Sequence, residues 1–554
     1  MLENLNFISF ILKFYIFWSF IFLIGRSIYI TLCFFSKKSF TPNTTFIARG
    51  SIFIFYPVIG LIFLGNFLFI THFFIPIGNI QIVMISLYSL VLNLKNLPKL
   101  NNLSFGFYEL NSILIIPLII LITSYDIAFH YDAGYYHLNH QNWLQESNII
   151  IGIVNIFWPY GIGSIYEYIS AFFWFDRSFI LLHFINIVFI NFFFMFSLEH
   201  IFKIKNSFLK FPSIFVVLFA VLDNIGIQGG RNGYFYIQGV TASDLVVGII
   251  FYTASLLLIY RIQNLKYLLV EFHTYALLVL FLFQMKLSAI FISILFFIYV
   301  FKLISNEILN LNKILKLMSP YTAITLLWTI KSVLTNGCLI FPLNLSCFNF
   351  LDWYQKGSTK DYELVTVNYS QSYKIGTSLS QWAVNIFNDD LKRSVFVNFF
   401  VSLLFILFIK KMFFNSKFIT SELKVILLLF ISINLIYFVL AGPIPRYGIG
   451  MMMFSIACLG MNVNEWKYEY NYHHLVYILF FSALVLTPRL SSYQSFNMKS
   501  SPSVHLPKIE YSTINKDWVK PSEGDRCWVN LKCVIDGSNL YLDDSGIFIA
   551  FERN

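Results

Sequence analysis

Residues 123–147 read TSYDIAFHYDAGYYHLNHQNWLQES and hold a dense collection of groups able to do chemistry. Two aspartates (Asp126, Asp132), three histidines (His130, His137, His140) and the amphipathic rings of Tyr135, Tyr136 and Trp143 follow directly on the apolar run 114–122. Acidic groups at the edge of a membrane span are expensive and point to a site. Asp132 is the candidate general base, or the ligand of a hard cation such as Mg2+ or Mn2+. His137 and His140 stand three apart and would share a helical face, which admits a transition-metal reading with Asp132 or His130 as further ligands. The plainer reading is an interfacial helix held at headgroup depth by its Tyr and Trp belt.

Other charged residues stand at the ends of apolar runs far away in sequence. The further acids are Glu167 and Asp244, which with Asp126 are candidates for a second acidic position. The cations are Arg231 in QGGRNGYF, Lys286, Lys331 in TIKSVLTNG and Arg446 in AGPIPRYGIG. Cations beside carboxylates at headgroup depth suit a lipid phosphate held next to an acceptor that must lose a proton. Each has a plain alternative, since Lys and Arg at helix ends snorkel to the headgroups. Arg446 departs furthest from it: Pro443 and Pro445 break the helix before it, Gly448 and Gly450 allow close backbone approach after it, and a guanidinium matches phosphate bidentately.

The elements that must position these groups are membrane helices. A chain of 554 residues that is 58% hydrophobic and only 12% charged lies far from soluble composition. Its net charge of +10 is scattered between apolar runs and reads as topology, not as a nucleic-acid patch. Runs of spanning length occur near 7–35, 50–71, 73–94, 109–125, 178–201, 211–226, 243–260, 267–285, 287–304, 316–334, 394–410, 422–441, 446–463 and 473–489. The expectation is an all-α polytopic membrane protein with about 13–15 transmembrane helices. The first run is longer than a signal-peptide core and is read as retained.

Lys37, Lys38 and Arg49, then Lys95 and Lys99, place their loops on the cytoplasmic side. Lys203, Lys205 and Lys210, Arg261 and Lys266, Lys302, Lys313 and Lys316, and Lys410, Lys411 and Lys417 follow in alternate loops. The weave closes if 158–175, with Pro159, two glycines and Glu167, does not cross fully. Residues 123–147, 228–243, 335–393 and 491–554 then share the outer side. The resulting division is a transmembrane block at 1–108, a core at 109–334 with its loop at 123–177, an outer insert at 335–393, further helices at 394–490 and a small extracytoplasmic tail at 491–554. Cys338, Cys347, Cys527 and Cys533 all fall in outer segments, where an oxidising compartment would pair them, most simply as 338–347 and 527–533 among three possible connectivities.

An outer loop with an aspartate followed by paired aromatics and a histidine, here YDAGYYHLNHQNWLQE, resembles the first periplasmic loop of the GT-C superfamily of membrane glycosyltransferases. IKSVLTNGCLIFP, PIPRYG and the tail segment KPSEGDRCWVNLKC resemble a bacterial family of polytopic proteins found with surface-polysaccharide genes. Unlike most GT-C enzymes, about three spans precede the loop acid, and the second acidic motif is represented only by candidates. The resemblance implies a GT-C-like fold in the bacterial cytoplasmic membrane with its active site facing the periplasm. It also implies a polyprenyl-phosphate-linked sugar as donor, a glycan or lipid-linked glycan as acceptor, Asp132 as base or metal ligand, and Arg446 with Lys331 or Lys286 on the lipid phosphate. Arg231, His137 and Tyr136 complete the substrate-binding set.

Two other classes compete. An O-antigen-type polymerase would use the 335–393 insert but calls for arginine-rich outer loops, and this insert has only Arg393. A polysaccharide or lipid transporter calls for broken helices in matching halves and charges near the midplane, whereas these charges stand at span ends.

Overall fold

In a computed structural model of the chain, residues 6–35, 52–96, 107–175, 179–226, 239–354, 359, 378–416, 420–441, 445–468, 472–514, 518–535, 540–543 and 549–552 are described. The protein is an all-α membrane-type bundle with three small two-stranded sheets among the described residues. Its helices are α1 (Asn6–Phe35), α2 (Tyr56–Thr71), α3 (Asn79–Lys95), α4 (Phe107–Leu121), α5 (Leu138–Glu146), α6 (Ile165–Phe172), α7 (Ile180–Leu198), α8 (Ser207–Ile225) and α9 (Asp244–Gln263). They continue as α10 (Leu269–Met285), α11 (Ile292–Ser305), α12 (Leu311–Asn336), α13 (Leu379–Asn388), α14 (Asp390–Phe413), α15 (Ser421–Ala441), α16 (Pro445–Met461), α17 (His473–Leu486) and α18 (Leu490–Ser495).

Among the described residues, seven helices are long and apolar enough to cross a membrane: Asn6–Phe34, Ile52–Thr71, Ile180–Lys203, Ser207–Ile225, Asp244–Gln263, Leu287–Ser305 and Phe396–Phe413. Five more are apolar but shorter, among them Leu269–Met285, whose 17 residues rise about 26 Å against a hydrocarbon core of about 30 Å. Hydropathy alone, which gives about 13–15 spans, does not separate these two groups.

The centre of the bundle is α7 and α9, each with 94% of its apolar window buried, while the window at Phe396–Phe413 is only 22% buried and turns Leu404, Phe405 and Phe408 outward. α1 and α2 meet where Gly25 faces the Tyr56 carbonyl and Gly60 faces that of Ile21, a backbone approach that leaves no room for a Cβ on either helix.

The segment 158–175 is not a span. It holds a single 3₁₀ turn at Trp158–Gly161 and α6, whose eight residues rise about 12 Å. Ser164 caps α6 by accepting from the Tyr166 amide. All eight residues of α6 are buried, so it is an internal peg and not a membrane crossing.

Chain direction then sorts the charges. The end of α4, the start of α9, the end of α10 and the end of α12 lie at one end of the bundle and carry Asp126, Asp244, Lys286 and Lys331. Arg261, Lys266, Lys302 and Lys313 lie at the other, where Arg261 grips the fully buried Glu271 through Nε and Nη2, both at 2.6 Å. A short antiparallel pairing of Phe414–Ser416 with Val463–Trp466 closes that second end. The tail adds two hairpins, Tyr511–Thr513 with Val519–Pro521 and Leu540–Asp543 with Ile549–Glu552.

Candidate active site

The loop after α4 folds first into a 3₁₀ turn, Ile122–Asp126, then into a π-helical turn, Ala133–His137, that runs directly into α5. Wide turns of this kind recur at functional sites. With the π turn continued by α5, His137 and Gln141, four apart, reach the same partner. That partner is Glu167 on α6. His137 Nδ1 donates to Glu167 Oε1, and Gln141 Nε2 donates to Oε2 at 2.8 Å. The Gln141 carbonyl is itself fixed by the indole N–H of Trp174 at 2.8 Å. Both carboxylate oxygens are therefore satisfied, and Glu167 is only 3% exposed.

Burial works against charge on both members of this pair, yet their mutual attraction wins. The His137 imidazole is lifted above its ordinary 6.5: burial lowers it, but the charge and hydrogen bond of Glu167 raise it, helped by the negative fields of Asp132 and Asp244. Glu167 is held below its ordinary 4.5: burial raises it, but the charge and hydrogen bond of His137 and the Gln141 bond outweigh that. The neighbouring His140 behaves oppositely. Stacked on Tyr160 with ring centroids 5.4 Å apart, it is pushed down to about 3, chiefly by burial.

Asp132 is the more open carboxylate, 20% exposed, with its Oδ2 3.5 Å from His130 Nδ1. Asp244 and Lys286, read separately from the sequence as an acid and a phosphate cation, pair with each other at 2.5 Å. The Tyr136 ring lies 4.0 Å from that of His137, centroid to centroid. Lys331 does not snorkel. It is buried, its ammonium lies 5.2 Å from the centre of the Trp328 ring and against Gly163, and with His72, His140, Trp143 and Tyr168 it lines a small cavity of about 10 Å³. Asp132, His137, Glu167, Asp244, Lys286, Lys331 and Tyr136 thus lie at one end of the bundle. Asp126, at the same end, accepts a hydrogen bond from Ser491 at the start of the tail. Arg231 lies outside the described residues, as does the side chain of Arg446, whose backbone opens α16.

A metal centre does not emerge from the His137 and His140 spacing. His137 Nδ1 is turned to Glu167, and among the described residues no three His, Cys, Asp or Glu side chains form a set able to hold an ion.

The tail roofs this loop. Its Trp528 amide donates to the Gly134 carbonyl at 2.9 Å, and the Trp528 ring occupies the space that a Cβ at Gly134 would need. Asn139 and Asn142 donate to the carbonyls of Asn530 and Val529 at 2.7 and 2.8 Å. Arg526 lies over Tyr131, whose hydroxyl donates to Asp525. Trp528, Val529 and Asn530 belong to the loop closed by the Cys527–Cys533 disulfide, and a second disulfide joins Cys338 to Cys347 just after α12. Sequence reasoning missed Gln141, Trp174 and Trp528. The four-residue spacing from His137 marks Gln141, but nothing local marks the other two.

A family model described as a domain of unknown function (DUF8201) matches residues 7–453, which takes in the whole of this loop, α6, and the Asp244, Lys286 and Lys331 positions. No curated protein and no solved structure matches the chain.

Proposed function

The chain belongs to the family described as a domain of unknown function (DUF8201), and from that premise we propose that it is a membrane glycosyltransferase. It moves a sugar from a polyprenyl-phosphate donor to a glycan or lipid-linked acceptor on the outer face of the bacterial cytoplasmic membrane. The observation that carries this reading is the meeting of an open carboxylate, Asp132, with a buried carboxylate–imidazole pair and two lysines at one end of a membrane-type bundle. Transfer from a phosphate-linked donor calls for those parts: a base for the acceptor hydroxyl and cations near a departing phosphate. Asp132 is the base. Its side chain is 20% exposed, so an acceptor can reach it. Lys331 and Lys286 supply positive charge, and Arg446 at the head of α16 is the further cation.

The test is in-membrane transfer from a polyprenyl-phosphate sugar. Asp132→Asn keeps size and loses charge, so transfer should fall by roughly a hundred- to ten-thousand-fold while melting stays close to wild type. A folded Asp132→Asn protein of undiminished activity would remove Asp132 from the mechanism.

A further inference from the structure

Asp132 accounts for one proton. The pair behind it implies a second acid–base group. His137 Nδ1 is committed to Glu167, so the ring must present Nε2 elsewhere, and Nε2 has no partner among the described residues. The ring is 17% exposed, enough for Nε2 to meet a substrate atom, whereas Glu167 is sealed behind it. Glu167 in turn is locked by Gln141, and Gln141 by Trp174. Orientation of a histidine by a carboxylate that is itself fixed is how a proton-transferring imidazole is held in register. A buried pair kept only for stability gains little over apolar packing, which makes so complete a set of partners more telling.

The geometry points to His137 as the general acid of the site, with Glu167 as its positioning residue. This rests on the glycosyl-transfer reading for the identity of the group it protonates, a departing phosphate oxygen. The acceptor oxygen bonds to the anomeric carbon and gives its proton to Asp132. The bond from that carbon to the phosphate oxygen breaks with its electron pair on the phosphate, which takes the Nε2 proton of His137. Asp132 and His137 then return to their starting states by exchanging one proton with water.

The groups acting on His137 are Glu167 from α6, Asp132 from its own loop and Asp244 from the start of α9, the last paired with Lys286, while His140 lies neutral beside the pair. Three carboxylates against one imidazole favour the protonated ring, the form an acid needs at neutral pH.

Diethyl pyrocarbonate acylates only neutral imidazole, so labelling of His137 in the full-length protein, read by peptide mass spectrometry across a pH series, reports its protonation without any substrate. The wild-type midpoint should lie above the ordinary imidazole value. Glu167→Gln should lower it by about one unit, and Glu167→Asp should fall between. In the transfer assay the alkaline limb of the pH profile, where an acid is lost, should move down by the same amount in Glu167→Gln. An unmoved midpoint overturns the assignment, as does a moved midpoint with an unmoved limb, which is the signature of a structural pair. If Glu167→Gln fails to fold, Glu167→Asp carries both measurements. Shifted labelling in a protein that transfers no polyprenyl-phosphate sugar would count against the glycosyl-transfer reading and leave the protonated His137 pair in place.

Discussion

At the scale of residues, the ion pairs at the two ends of the bundle differ in what they invite. Arg261 and Glu271 are mutually saturated and buried, and nothing about them asks for a ligand. Asp244 and Lys286 are partly open, at 15% and 23% exposed, and lie within the field that His137 feels. Removing one partner of such a pair strands the other charge, whereas removing both costs less. Asp244→Asn should therefore lower the melting temperature in detergent more than Asp244→Asn with Lys286→Met does. Equal losses would mean that the two side chains are not coupled. For His137 and Glu167 the sign follows from opposite shifts. The raised His137 contributes stability in full below about 6.5 and loses it as pH climbs through its folded value; the lowered Glu167 contributes above about 4.5 and loses it as pH falls through its own. Their joint contribution is complete between those two values and declines on either side. The sequence named Glu167, Asp244 and Lys286 but assigned them separate duties, because which charge faces which is a tertiary fact that spacing along the chain does not encode.

At the scale of elements, helices were the most legible part. Apolar runs such as 244–263 and 180–198 need only length and hydropathy, and the breaking of 158–175 could be read from its proline and glycines. The π turn could not be read, since nothing in the composition of Ala133–His137 separates a wide turn from an α turn. Trp528 packs against it, and its approach explains why position 134 is glycine. Gly134→Val should push the indole away and undock the tail loop. Limited proteolysis should then cut between residues 500 and 535 faster than in wild type, with the helical core intact. Unchanged cleavage would show that the roof is held without the Trp528 contact, by Asn139, Asn142 and Tyr131.

At the scale of the whole molecule, the bundle has a chemically marked polarity. The Asp132 and Glu167 cluster, the two disulfides and the tail gather at one end, and Arg261, Lys266, Lys302 and Lys313 at the other. The proposed orientation, which follows the charge bias of short loops, puts the lysine-rich end in the cytoplasm. A cysteine placed at Ser503 should therefore react with an impermeant thiol reagent in intact spheroplasts, and one placed at Lys411 should not. The reverse pattern would turn the molecule over and move the site to the inner face. The tail illustrates where reading from sequence stopped: its composition marked it as a small separate region, yet its contacts run to residues 391 positions earlier, and no periodicity carries that information.

That separation has a consequence for the cell's timing. At about 5 to 20 residues per second, the ribosome needs roughly 20 to 80 s after making Asn139 before Asn530 exists to receive it. Through that interval the nascent protein has a membrane bundle and an open loop but no roof. In the proposed orientation, completion then waits on export of the tail segment and on a thiol oxidant to close Cys527 to Cys533. A half-synthesised copy, or one stalled in a reducing compartment, would carry the proposed acid–base residues without the tail that packs over their loop.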